Sequence, residues 1–177
     1  MKYNKTIFSV IAIFCLLATA AFAAAKVPAI AKLLPEKEVS GWQPFEDSLT
    51  YGKGDAMTEI YNGACPEYQK QGIVEAVQQI YQTADSQFIM EVILNKAKTE
   101  KRAKAFFEKQ RKALGGGNPV KIGKGQMFLV SKKPVQGYIQ VKGYVSSVVP
   151  TYDDNRASND CRAFLKAIGN KLDKAKK

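Results

Sequence analysis

The side chains of this chain that could do chemistry are two of its three cysteines, a scatter of acids and a set of tyrosines. The 177 residues contain no histidine, so neither a Ser-His-Asp nor a Cys-His arrangement can form. Cys65 and Cys161 are separated by far more than any zinc-ligand spacing and form no Cys-x-x-Cys pair, which argues against a structural zinc or a thioredoxin-like centre. Glu59, Glu67, Glu91 and Asp153 are acids of the kind that serve as paired carboxylates in glycoside hydrolysis, but they are dispersed and each has a surface or capping role to play. Tyr61, Tyr68, Tyr81 and Tyr138 could line a pocket, although packing at a core or sheet edge accounts for them as well. The run from Gly117 to Gly123-Lys124-Gly125 approaches a phosphate loop and fails. Its interval is one residue too long, Gly125 stands where a Ser or Thr must hold magnesium, and no helix follows. No catalytic residue, no metal site and no cofactor are predicted.

An even cysteine pair in an exported chain predicts one disulfide, Cys65–Cys161, worth about 2–4 kcal/mol; two buried thiols are the alternative. Export itself is predicted from the first residues. Lys2 and Lys5 precede an apolar run from Ile7 to Leu17, and Ala21-Phe22-Ala23 supplies small residues at a cleavage site. Residues 1–23 therefore read as a cleaved signal peptide rather than a lasting anchor. Cys15 does not read as a lipidation site, because bulky Phe14 precedes it and more apolar chain follows. The address expected is periplasmic or secreted, with no stable membrane span after cleavage.

The formal net charge is +11, and removal of residues 1–23 takes away two lysines and no acid, leaving +9. Such a balance draws a protein to anionic surfaces. Outside the cytoplasm that disfavours nucleic acid and points to an anionic envelope component or an acidic protein. The positive charge concentrates on one helix, where Lys101, Arg102, Lys104, Lys109, Arg111 and Lys112 make a candidate face for an anionic partner; a plain solvated face is the competing account.

Several elements must position these groups. Residues 24–40 form a lead-in, 41–173 a single α+β domain, and 174–177 a basic tail. Leu49–Gly52 reads as a short strand. Two short helical pieces follow, joined at Cys65, with Pro66 near the start of the second and Gly72 closing it. Ile73–Gln82 and Gln87–Lys96 alternate in period two and predict a hairpin through Thr83–Ser86. Thr99–Leu114 predicts a capped helix with Ala103, Phe106, Phe107, Gln110 and Leu114 on its buried stripe. Val120–Ile122, Gln126–Lys132 and Tyr138–Val149 read as further strands. A last helix buries Cys161, Phe164, Leu165, Ile168 and Leu172. The fold class expected is α+β: an antiparallel sheet of about five to six strands with helices packed on it.

Gly41-Trp42 is followed by Tyr61-Asn62-Gly63-Ala64, then Tyr68 and Gly72, two strands, and a helix containing Ala105-Phe106. This order resembles a group of exported bacterial proteins of uncharacterised function, departing from it at Cys65-Pro66 and Cys161. The layout is also similar to the PsbP and Mog1-like α/β/α sandwiches, chiefly binding or assembly modules. The signal, the basic balance and the absent catalytic groups point to an exported, non-catalytic binding or accessory protein of the cell envelope that meets an anionic partner through its basic helix face and tail. The rival is a small periplasmic enzyme using carboxylates or tyrosines in a pocket beside the sheet.

Overall fold

The structure, a computed structural model, describes residues 27–175 apart from 131, 133 and 154. The expected signal peptide and the last two residues of the basic tail lie outside the described residues.

Eight strands form one antiparallel sheet: β1 (Trp42–Pro44), β2 (Thr50–Lys53), β3 (Ile73–Thr83), β4 (Ile89–Ala97), β5 (Val120–Ile122), β6 (Gly125–Val130), β7 (Gln136–Val141) and β8 (Tyr144–Pro150). β1 and β2 share the outer edge of β3, and the order continues β3-β4-β8-β7-β6-β5. The sequence-based estimate of five to six strands was too low, for two identifiable reasons. The run Tyr138–Val149 is not one strand. Val141 pairs with Tyr144 across a two-residue turn at Lys142-Gly143, so it is a hairpin. β1 is three residues long and carries no alternation of its own; it exists because β3 offers it an edge.

The predicted β3–β4 hairpin is present, with Gln82 opposite Ile89. Between Gly54 and Ala64 the chain makes 3-10 turns around a single α-turn, Thr58–Tyr61. Three longer helices follow: α1 (Cys65–Lys70), α2 (Glu100–Ala113) and α3 (Ala157–Lys174). Pro66 sits in the first turn of α1, where its missing N–H costs nothing. α2 carries the chain from β4 to the far edge strand, from which three successive hairpins return it to β8, beside β4.

Side chains alternate across the sheet and build a core on each face. On one face Met90, Val92 and Leu94 of β4 meet Cys161, Phe164, Leu165 and Ile168 of α3, together with Trp42 and the lead-in residues Ile30, Leu34 and Val39. On the other, Ala76, Ala97 and Phe128 meet Phe106 and Phe107 of α2, with Met57, Tyr61 and Cys65 beside them. The two cysteines therefore lie on opposite sides of the sheet. Both are buried and free, and the predicted disulfide is overturned. Each thiol sits 3.8 Å from a backbone carbonyl on its own side, Cys65 from Gly54 and Cys161 from Val148. A bridge needs Cα atoms within about 7 Å, and the sheet stands between them. Burial, helped by the neighbouring Asp160, pushes the Cys161 thiol up to about 12, so it is an inert core group. Periodicity put Cys161 inside and Cys65 at a joint between helical pieces; it carried no information about which core each would enter.

Two lysines tie the elements together. Lys142, in the β7–β8 turn, donates to the carbonyls of Leu172, Asp173 and Ala175, at 3.1, 3.2 and 2.8 Å. It thereby closes the negative end of α3. Lys171 of α3 donates to the Leu34 carbonyl at 2.6 Å and pairs with Glu38 at 2.9 Å, fixing the lead-in against the helix. Burial pulls the Glu38 carboxyl upward. Lys171 and the N–H groups of Glu36 and Lys37 outweigh it, lowering the pKa from 4.5 to about 2. A depressed folded-state pKa stabilises above the unfolded value, and the contribution disappears as pH falls from 4.5 through 2. Glu38→Gln should thus lower the urea midpoint at about pH 7 and lose that difference near pH 2. The pair is partly solvated, so the effect is below about 1 kcal/mol. An equal difference at both pH values would show that Glu38 acts through packing and not charge.

Candidate basic face on helix α2

Helix α2 begins where Thr99, in extended conformation, accepts the Arg102 N–H with its side chain at 3.2 Å. This is an N-cap of the expected kind. Ala103, Phe106 and Phe107 are buried and set the rotation of the helix, with Phe107 edge-on to Phe128 at 5.0 Å. Every other position then has its direction fixed at about 100° per residue.

The six basic residues do not form one stripe. Lys101 and Lys112 point away from the sheet. Arg102 and Lys109 lie on the flank toward α1, where the stem of Arg102 runs against Gly72, which has no side chain to obstruct it. Lys104 and Arg111 lie on the flank toward β5 and β6. Lys101, Arg102, Lys109 and Lys112 are exposed and form no ion pair among the described residues. Arg111 is half-buried, pairs with Glu108 at 2.9 Å and reaches the Gly116 carbonyl, so it belongs to the helix C-terminus rather than to an open face. Lys104 pairs with Glu100 at 2.9 Å in an exposed contact. It turns toward Lys121 and Lys124 of the β5–β6 hairpin, two lysines that sequence reasoning did not single out. The signal for them lies in Gly123-Lys124-Gly125, which is not a phosphate loop but a hairpin turn.

The segment that carries the family resemblance is a packing unit. Gly41, at φ +80, turns the chain into β1. Trp42 is buried against Phe164, centroids 5.3 Å apart and nearly perpendicular, and stacks on Tyr152. Tyr61 and Tyr68 stack at 3.7 Å, and the Tyr61 hydroxyl donates to the side-chain carbonyl of Asn95, itself buried in β4. Asn62, Gly63 and Ala64 form the exposed 3-10 turn between them. Gly72, at φ +91, ends the excursion and delivers the chain to β3.

Tyr61, Tyr68 and Tyr138 share this side of the sheet, whereas Tyr81 lies in the opposite core. Burial raises the hydroxyl pKa of all four, that of Tyr138 to about 12, with Tyr68 adding to the effect at Tyr61 and Tyr138. Such hydroxyls stay protonated and donate hydrogen bonds; they do not serve as bases near neutral pH. The candidate acids do not converge. Glu67 pairs with Lys70 at 2.8 Å in solvent, Glu59 and Asp153 are exposed on separate elements, and Glu91 is half-buried on β4. Among the described residues no three His, Cys, Asp or Glu side chains gather as metal ligands would, and no helix is long and apolar enough to cross a membrane.

No family model matches the chain, and no curated protein matches it. Among solved structures it is similar to the extracellular domain of PknH from Mycobacterium tuberculosis. The TM-score is 0.51 and the sequence identity 16%, over 82% of this chain and 95% of that one. At that identity the likeness is one of fold.

Proposed function

We propose that this chain is an exported, non-catalytic binding or accessory domain of the cell envelope that docks an anionic partner through the basic face of α2. The observation that carries the reading is the set of exposed cations Lys101, Arg102, Lys109 and Lys112, none of which forms an ion pair among the described residues, although Lys109 lies within the field of the Glu67 carboxylate. The flanks of α2 extend this charge, toward α1 on one side and toward the β5–β6 hairpin on the other. The signal-like residues 1–23 and the fold shared with an extracellular domain support export. The dispersal of the acids and the protonated state of the tyrosines favour binding over catalysis.

The purified protein should co-sediment with phosphatidylglycerol-containing vesicles at about 20 mM salt and lose at least about tenfold in affinity at about 200 mM, where screening is strong over 10 Å. Each lysine near an anionic surface contributes about 1 kcal/mol. The variant Lys101→Gln/Arg102→Gln/Lys109→Gln/Lys112→Gln should therefore bind at least about tenfold more weakly at low salt. Absence of binding at low salt, or binding indifferent to both salt and the substitutions, would remove the proposal.

A further inference from the structure

Where α2 passes beside the β5–β6 hairpin it leaves an open concavity of about 460 Å³, lined by Lys104, Lys121, Lys124, Gln126 and Gln140 among others. Its floor follows from strand register. Lys121 pairs with Gln126, and Gln126 with Gln140, so the three stand side by side across β5, β6 and β7. Their neighbours Ile122, Met127 and Ile139 point into the α3-side core, so all three face α2. Two strand spacings put Lys121 and Gln140 about 10 Å apart. Gln140 is 3% exposed; its amide donates to the Lys142 carbonyl at 2.7 Å and its oxygen accepts from Gln126 at 3.4 Å. A polar amide row at this depth contributes little to a core, and it gives the concavity a fixed hydrogen-bonding floor.

Lys124 is placed by its turn. Gly123 occupies the first central position at φ +50, and Asp173 of α3 accepts the Lys124 backbone N–H at 3.2 Å. A Cβ at Gly123 would stand 2.1 Å from the Asp173 carboxylate, so the residue there must be glycine for two reasons. The hairpin is thus clasped from the opposite side of the sheet while its lysines reach toward α2. Lys121 and Lys124 form no ion pair among the described residues, and the contact of Lys104 with Glu100 is of the exposed type that costs little to exchange.

We propose, as a deepening of the docking reading on the adjoining surface, that this concavity binds a small phosphorylated polyol of monosaccharide size. Three lysines line it and no arginine does. Lysine acts as a compact point charge suited to phosphoryl oxygens, whereas carboxylates are favoured by the arginine fork. The Gln126 amide offers a hydrogen-bond partner to ring hydroxyls, and the volume falls in the range of small-ligand sites. The same chemistry is presented by a free sugar phosphate and by the head group of a phosphorylated glycolipid.

Titration calorimetry and amide chemical shifts with glucose 6-phosphate, inorganic phosphate and glucose test the site. Glucose 6-phosphate should bind at concentrations up to about 10 mM and more tightly than inorganic phosphate, and glucose should not bind. Loss of one charge-assisted contact weakens binding about tenfold. Lys104→Gln should therefore show a tenfold loss and Lys121→Gln/Lys124→Gln a larger one, each with amide spectra that report an intact fold. Lys37→Gln/Lys166→Gln, with the same loss of net charge on other surfaces, should bind as the parent does. No binding of glucose 6-phosphate, or equal weakening by both double variants, overturns the site. Competition by glucose 6-phosphate against anionic vesicles assigns the ligand to a lipid head group; binding without competition assigns it to the free phosphate. Vesicle docking that persists when glucose 6-phosphate fails to bind sinks the concavity alone. Sugar-phosphate binding without vesicle docking sinks the wider docking reading alone.

Discussion

Phe164→Ala should lower the unfolding free energy by about 3–5 kcal/mol, the range for a large aromatic removed from a closed core. Phe164 is fully buried at the centre of α3. Its ring meets Tyr81 of β3 at 4.9 Å and Trp42 of β1 at 5.3 Å, both close to edge-on. Truncation removes the transfer energy of the ring and opens a void whose walls are held by sheet hydrogen bonds and cannot close over it. Trp42 is the only tryptophan and rests on this ring, so its fluorescence reports the change directly. Urea unfolding followed by that signal should show the midpoint fall, with the milder Phe164→Leu in between. A loss below about 1 kcal/mol would mean that α3 does not pack on the sheet as described.

Gly52→Ala is the second large effect, expected near the upper end of the 1–3 kcal/mol range for overpacking. The reason is contact with backbone and not side-chain crowding. A Cβ at Gly52 would lie 2.4 Å from the Ala56 carbonyl oxygen and 2.5 Å from the Met57 Cα. The 3-10 turn Gly54–Met57 folds directly back onto β2, and no rotamer can relieve the overlap. Either β2 leaves the edge of β3 or the turn lifts, carrying buried Met57 with it. Hydrogen exchange distinguishes these outcomes, since loss of β2 should deprotect Thr50 and its partners Gln78 and Ala76 on β3 while leaving β4 and β8 protected. An alanine variant as stable as the parent would contradict the close approach of turn and strand.

These residues also mark how far the sequence could be read. Helix α2 was legible almost to its ends, because Thr99 caps it and three large or small apolar residues at helical spacing leave it one rotation. The β3–β4 hairpin was legible because alternation and a four-residue turn are local signals. The last helix and its buried stripe were legible for the same reason. What failed was non-local. β1 has no pattern of its own and depends on an edge supplied by residues about forty positions away. The Lys142-Gly143 turn was read as part of a long strand because its flanks alternate smoothly on both sides.

The candidate site divides in the same way. The cations of α2 could be found by composition and spacing, and their sorting into two flanks follows from the buried face. That Lys104 would meet Lys121 and Lys124 could not be found so, because it requires the crossover from β4 to the far edge strand to bring α2 beside the β5–β6 hairpin. The clasp of Asp173 on Gly123 and Lys124 links residues fifty positions apart from opposite faces of the sheet.

By itself the sequence determined the helices, the central hairpin, the burial of Cys161, the excess of positive charge and the absence of histidine-based chemistry. Each is set by composition or by a period that a short window of chain expresses. The tertiary structure alone decided that the two cysteines face opposite cores, that the sheet has eight strands, and that three lysines from two elements share one concavity. Periodicity says that a side chain is inside; only the path of the chain across the sheet says beside what.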